Sequence, residues 1–142
     1  MNSATVFAAT AATLYAAHQL ADHVLGQSDQ QATNKAAPGL TGWRNLIAHV
    51  VLYHLVVIAM LAAAVAALRL PVTVTGLTTG IAFSALTHGF LDRRWPVRWL
   101  LEHTGSAAFS RQAGHGINGM YLADQALHYT CLWIAALLIA AL

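Results

Sequence analysis

Four apolar runs, at about residues 6–25, 43–68, 72–91 and 120–142, constrain this chain more than any other feature. Each is long enough to cross the hydrocarbon core of a bilayer as a helix, and together they leave only short links of the 142 residues. Charged residues make up 8% of the chain, against about a quarter in a soluble domain, and most of them sit in the links. The expectation is an all-α fold: one domain, an integral membrane four-helix antiparallel bundle whose first partner is the lipid bilayer. Nucleic acid is not an expected partner. A net charge of +2 is small, and basic residues beside spans have a topological explanation.

The first run lacks the basic residues that open a signal peptide and carries His18 and Asp22 at its far end, so it reads as a retained span. The following link holds Lys35 and the turn pair Pro38-Gly39. Trp43, with Arg44 beside it, is placed to anchor the second span in the interface. Arg69-Leu70-Pro71 makes a tight reversal into the third run, where Gly76 and Gly80 form a G-x-x-x-G pair. That pair permits close helix packing, within the bundle or between copies of a homo-oligomer. Next, Arg93-Arg94-Trp95-Pro96 and Val97-Arg98-Trp99 predict a short interfacial helix between spans three and four, with proline in its first turn.

Lys35, Arg44, Arg93, Arg94, Arg98 and Arg111 fall on the side of the two longer links and Arg69 alone on the other. The multi-pass protein is therefore expected to keep its longer links in the cytoplasm and both termini outside. Cys131, the only cysteine, lies inside the last run, so neither an intrachain disulfide nor a cysteine metal cluster can form.

The polar residues within the runs follow a pattern. His18 precedes Asp22 and His88 precedes Asp92 where the first and third runs end; Asp124 precedes His128, and Asn45 precedes His49, where the fourth and second begin. Residues four apart share one helix face, about 6 Å apart along the axis. Because the order within each pair inverts when the helix direction inverts, every imidazole lies one turn deeper than its partner. The expected result is a shallow layer of Asp22, Asn45, Asp92 and Asp124 near cytoplasmic water, above a layer of His18, His49, His88 and His128.

These residues resemble a family of small bacterial and phage membrane proteins grouped as a domain of unknown function. That family shows H-x-x-x-D in the first span, a following Gln and Lys, a His opening the second span, H-x-x-x-D in the third and D-Q-x-x-H in the last. The matching residues here are His18, Asp22, Gln27, Lys35, His49, His88, Asp92, Asp124, Gln125 and His128, with Arg93 or Arg94 in place of the basic residue that often follows the third pair. The resemblance spans nearly the whole chain and implies a topology, a shared site and a bacterial inner-membrane location, but no reaction. A looser similarity to membrane-bound metal-dependent hydrolases rests on the His-rich span ends.

Ionisable groups within spans face each other or a wet cavity, and three carboxylates together call for a positive partner. Imidazole with carboxylate suits one or two divalent ions such as Zn, Fe or Mn, so His18, Asp22, His49, His88, Asp92, Asp124 and His128 are the candidate ligands. Asn45, Gln27 and Gln125 are candidates to support them; Lys35, Arg93 and Arg94 are candidates to bind an anionic headgroup or phosphate. His23, His54, His103 and His115 fall off the stripes and read as buried or solvated residues. Three functions follow. One is a metal-dependent hydrolase acting at the cytoplasmic face on a lipid-linked or phosphate-containing substrate, with Asp22, Asp92 or Asp124 accepting a proton. The second is a metal-ion or proton transporter or relay, and the third a haem-binding bundle. Against all three stands a polar plug, each imidazole bonding the acid on its own helix.

Overall fold

The computed structural model of the chain describes residues 2–114 and 116–142; His115 lies outside them. Helix α1 (Ser3–Leu20) starts where the Asn2 side chain accepts the Thr5 N–H at 3.0 Å. It runs directly into a single π turn (Ala21–Leu25) that carries Asp22. Gly26 closes this turn: its N–H reaches the Ala21 carbonyl at 2.7 Å, and a Cβ here would fall 2.3 Å from that oxygen, which leaves room only for glycine.

The link that follows is more ordered than a polar loop. Ser28 Oγ accepts the Gln31 N–H while Gln31 Oε1 accepts the Ser28 N–H, a reciprocal capping box that starts α2 (Asp29–Asn34). Helix α3 (Gly39–Leu68) begins directly after Pro38, ahead of the expected Trp43. It ends at Arg69, held in the left-handed conformation at φ 51°, with the Leu70 N–H closing back on the Val65 carbonyl at 3.0 Å. The reversal at Pro71 leads into α4 (Val74–Leu91), capped by Thr73. The expected short helix is present as α5 (Trp95–His103), with proline in its first turn. A one-turn α6 (Ala107–Ser110) and a two-residue antiparallel pair, β1 (Ala113–Gly114) with β2 (Ile117–Asn118), lead to α7 (Gly119–Ala141).

Helix α7 packs against α4 and α1, α1 against α3, and α3 against α4. Leu14, Tyr53, Val57, Leu61, Leu132 and Ile139 form the buried core between them. Gly76 and Gly80 serve this packing. A Cβ on Gly80 would lie 2.5 Å from Ile139 Cγ1 and 2.9 Å from the Ala135 carbonyl oxygen, so the face read as a route to a homo-oligomer is covered by α7 of the same chain. Among the described residues two helices, α3 and α7, are long and apolar enough to cross a membrane. The other two expected spans, α1 and α4, are helices of 18 residues each, α1 being lengthened by its π turn.

Candidate metal centre

Where α1 and α4 end, α3 and α7 begin, so the four polar stripes meet at one end of the helices. His49 sets the geometry. Its Nδ1–H donates to the Gly26 carbonyl at 3.0 Å, which directs the Nε2 lone pair inward, toward Asp22 Oδ1 at 3.1 Å and Asp92 Oδ2 at 3.1 Å. His88 Nε2 lies 3.0 Å from the same nitrogen, 3.2 Å from Asp92 Oδ2 and 3.9 Å from Asp22 Oδ1. A tetrahedral ion with bonds of about 2.0–2.1 Å spaces its ligands about 3.3–3.4 Å apart. The five separations among the four donor atoms, from the π turn, α3 and the end of α4, bracket that spacing, and Asp22, His49 and His88 form one group whose ligand atoms all lie within 4.8 Å of one another.

Hydrogen bonding alone leaves this cluster unsatisfied. One N–H cannot point at two carboxylate oxygens and a second ring nitrogen together, and Asp22 Oδ1 and Asp92 Oδ2 are buried without a hydrogen-bond partner among the described residues. His88, Asp92 and His128 also each offer a ligand atom within 4.8 Å of one another. His128 Nδ1–H donates to the Asp124 carbonyl at 2.9 Å, which leaves Nε2 buried and unpartnered among the described residues. Both His49 and His128 thus have the outer nitrogen tied to a carbonyl and the inner one turned into the cluster, the orientation a metal-ligating imidazole adopts. His128 Nε2 has no partner among the described residues, while His49 Nε2 lies within hydrogen-bond distance of Lys35 Nζ and His88 Nε2. The buried His/Asp clusters could hold a metal ion.

Lys35 is not a surface residue reaching for an anion. It is 7% exposed, with Nζ 2.8 Å from Asp92 Oδ1, 3.3 Å from His49 Nε2 and 3.8 Å from Asp22 Oδ1. Its ammonium supplies part of the positive charge the carboxylates require. Burial alone would push the Asp92 carboxyl up, but the His49 and His88 rings and the Lys35 ammonium override it and hold the carboxyl well below the usual carboxylate range. Arg93 is likewise structural: its guanidinium donates to the Lys35 and Ala37 carbonyls at 2.9 Å each and lies over the Trp43 ring. It pins the link that carries Lys35.

His18 sits one layer away from the four donor atoms. Gln125 Nε2 faces Asp22 Oδ2 and Asp124 Oδ2, both at 3.4 Å, so its Oε1 accepts from His18 Nε2 at 2.9 Å. His18 Nδ1 then accepts from the Tyr53 hydroxyl at 3.0 Å, which occupies both ring nitrogens. Tyr53 is fully buried and stacks on His88 with centroids 3.9 Å apart. Asn45 does not join the shallow layer; its side chain donates to the Thr41 carbonyl of its own helix at 2.9 Å. Gln27 donates to the Asp22 carbonyl at 3.3 Å and braces the π turn. Asp124 lies apart from the four-atom cluster, its side chain about 20% exposed. His54 is buried, bonded to Ser84 and to the Val50 carbonyl of its own helix, while His103 is exposed on α5.

Two residues that complete the centre carry weaker signals in the sequence. Gly26 follows an apolar run without announcing a π turn. Tyr53 reads as one aromatic among apolar neighbours. Ser28-Asp29-Gln30-Gln31, however, is an S-x-x-Q capping box in plain view, and it announces the helix that folds Lys35 back over the acids.

A cavity of about 340 Å³ opens beside the cluster, with Asp22, Lys35, Asp92, Asp124, Arg94 and Arg98 among its lining residues. Fold and site together define a mostly helical protein with two helices able to cross a membrane and a buried His/Asp cluster suited to a metal ion. The chain belongs to the family described as "Protein of unknown function (DUF3307)", whose model matches residues 11–142. Comparison with curated proteins and with solved structures finds no match.

Proposed function

We propose that this chain is a four-span membrane protein whose His/Asp centre binds a divalent ion, Zn, Fe or Mn, at the cytoplasmic face and hydrolyses a lipid-linked or phosphate-containing substrate. The observation that carries the reading is the convergence of His49 Nε2, His88 Nε2, Asp22 Oδ1 and Asp92 Oδ2, with neighbouring pairs 3.0 to 3.9 Å apart and both carboxylate oxygens otherwise unpartnered among the described residues. Two carboxylates against one ammonium leave one negative charge to be answered by the imidazoles or by a bound cation, and a divalent ion answers it while using both rings as ligands. His128 is placed to join as a further ligand, and its position also fits a second ion sharing His88 and Asp92.

A divalent ion held by His49, His88, Asp22 and Asp92 would lower the pKa of bound water toward neutrality and draw charge from a phosphoryl oxygen. The chain does the rest. Asp22 and Asp92 are turned into the cluster, which leaves Asp124, facing the cavity and partly hydrated, as the proton acceptor. Lys35 offsets charge on Asp92 and keeps the link closed over the site. The cavity opens at one end of the bundle; among the described residues, the buried Leu14, Val57, Leu61 and Ile139 fill the interior beyond Tyr53 and the His54–Ser84 pair. A one-sided site favours hydrolysis over transport.

The test is turnover. Protein purified in uncharged detergent, loaded in turn with Zn, Mn and Fe(II), is assayed for phosphate release from soluble and lipid-borne phosphate monoesters. The expected result is metal-dependent release that chelation abolishes, that Asp92→Asn removes and that Asp124→Asn slows by about 10²–10⁴. Stoichiometric metal without hydrolysis of any such ester would contradict the hydrolytic half of the reading.

A further inference from the structure

The cavity beside the centre has an acidic floor and a basic wall. Arg94, the residue that precedes α5, and Arg98, in the first turn of α5, both line the cavity, beside the buried Val97 and Leu101 and the exposed Trp95 and Trp99 of the same helix. Unlike Arg93, whose guanidinium is spent on two carbonyls, these two have no carboxylate partner within 4.0 Å among the described residues. The one contact is a 3.3 Å bond from Arg94 to the Ala32 carbonyl. Two arginines without a carboxylate partner, both lining one cavity, offer the planar donor groups that capture phosphate.

Charge matching narrows the ligand. The carboxylates of Asp22, Asp92 and Asp124 are balanced by Lys35, Arg94 and Arg98, all lining the cavity. Adding a divalent ion leaves two positive charges, and a phosphate monoester, with a charge of about −1.5 to −2 at neutral pH, answers them; a diester carries only one. Position narrows the source. Trp95 and Trp99 are 58% and 55% exposed beside the arginines, and tryptophan on an amphipathic helix settles at headgroup depth. The mouth of the cavity then lies where lipid phosphates are.

We propose that Arg94 and Arg98 form the anion subsite of this cavity, and that its ligand is a phosphate monoester group, delivered by a lipid headgroup. The proposal deepens the hydrolytic reading and rests on it for the reaction, while binding at the subsite can be read without turnover.

Detergent-purified wild-type protein, Arg98→Gln and the double variant Arg94→Gln/Arg98→Gln are titrated calorimetrically, with and without chelator. The probes are inorganic phosphate, short-chain phosphatidic acid below its micellar concentration, and short-chain phosphatidylcholine. Arg111→Gln, which removes the same charge away from the cavity, is the control, and circular dichroism verifies folding. The expected result is that phosphatidic acid binds, competes with phosphate and exceeds phosphatidylcholine, with affinity about tenfold weaker in Arg98→Gln and unchanged in Arg111→Gln. Phosphate binding that phosphatidic acid cannot displace would overturn the lipid source and assign a soluble ester. Equal affinity of wild type and the folded double variant for both ligands would overturn the subsite, whether or not metal is bound. Arginine-dependent binding in protein that never takes up metal would uphold the subsite and reject the metal reading, so the two fail separately.

Discussion

His49 shows how a bond on the far side of a ring decides what the near side can do. With Nδ1–H committed to the Gly26 carbonyl, Nε2 is left as a donor of electrons among two carboxylates. Lys35 is the other decisive residue, because it already stands where positive charge is needed. Lys35→Met is expected to destabilise the metal-free protein by about 3–5 kcal/mol, the cost of leaving buried acids uncompensated. Added metal should then raise the melting temperature more in the variant than in wild type. Thermal unfolding with and without chelator checks this; equal melting temperatures would place the ammonium outside the balance. Asp92 gives a pH dependence of fixed sign. Its folded-state pKa is depressed, so its contribution to stability is present above the unfolded value of about 3.9 and is lost as pH falls through the folded value. Acid unfolding of wild type against Asp92→Asn should therefore converge at low pH.

Among the elements, the π turn is the one the site depends on most. Gly26 both closes it and supplies the carbonyl that orients His49. Gly26→Ala is expected to cost about 1–3 kcal/mol from the clash with the Ala21 carbonyl. It should also weaken metal binding about 10–100-fold, the usual consequence of disturbing a ligand's supporting partner, as a metal titration would show. Gly80→Leu should cost a similar amount of stability by forcing α4 off α7, and should leave the metal sites' ligands intact. The helices themselves were legible in the sequence because apolar length and the His/Asp inversion speak directly. Four-residue spacing put His18 with Asp22 and His88 with Asp92 on one face of each helix, and these are buried together, while the Asn45 side chain departs from His49 to the Thr41 carbonyl. What spacing could not convey was the difference between His18, saturated by Tyr53 and Gln125, and His49, whose inner nitrogen faces Lys35, His88 and two carboxylates, since that depends on partners far along the chain. The roles of Lys35 and Arg93 were hidden for the same reason: the link folds back only through α2, and its capping box is short beside four apolar runs.

At the scale of the whole molecule the claims are that all four long helices cross the bilayer and that their shared end binds metal. Two helices carry the span-length apolar signal by themselves, so the contribution of α1 and α4 needs its own experiment. In a Cys131→Ser background, single cysteines at Ser3 and Gln30 flank α1. Labelling with a membrane-impermeant maleimide is expected to reach Ser3→Cys from outside and Gln30→Cys only from the cytoplasm. Labelling of both from one side would show that α1 does not cross, and a matching pair of positions around α4 tests that helix.

The central claim is the metal, and its most direct test is elemental analysis of the purified protein by mass spectrometry. Wild type is compared with His49→Gln, His88→Gln and the control His54→Gln, each verified as folded. The account predicts about one or two equivalents of Zn, Fe or Mn in wild type and in His54→Gln, with loss in both His49→Gln and His88→Gln. No stoichiometric metal in wild type after reloading, or equal metal in all four proteins, would contradict it.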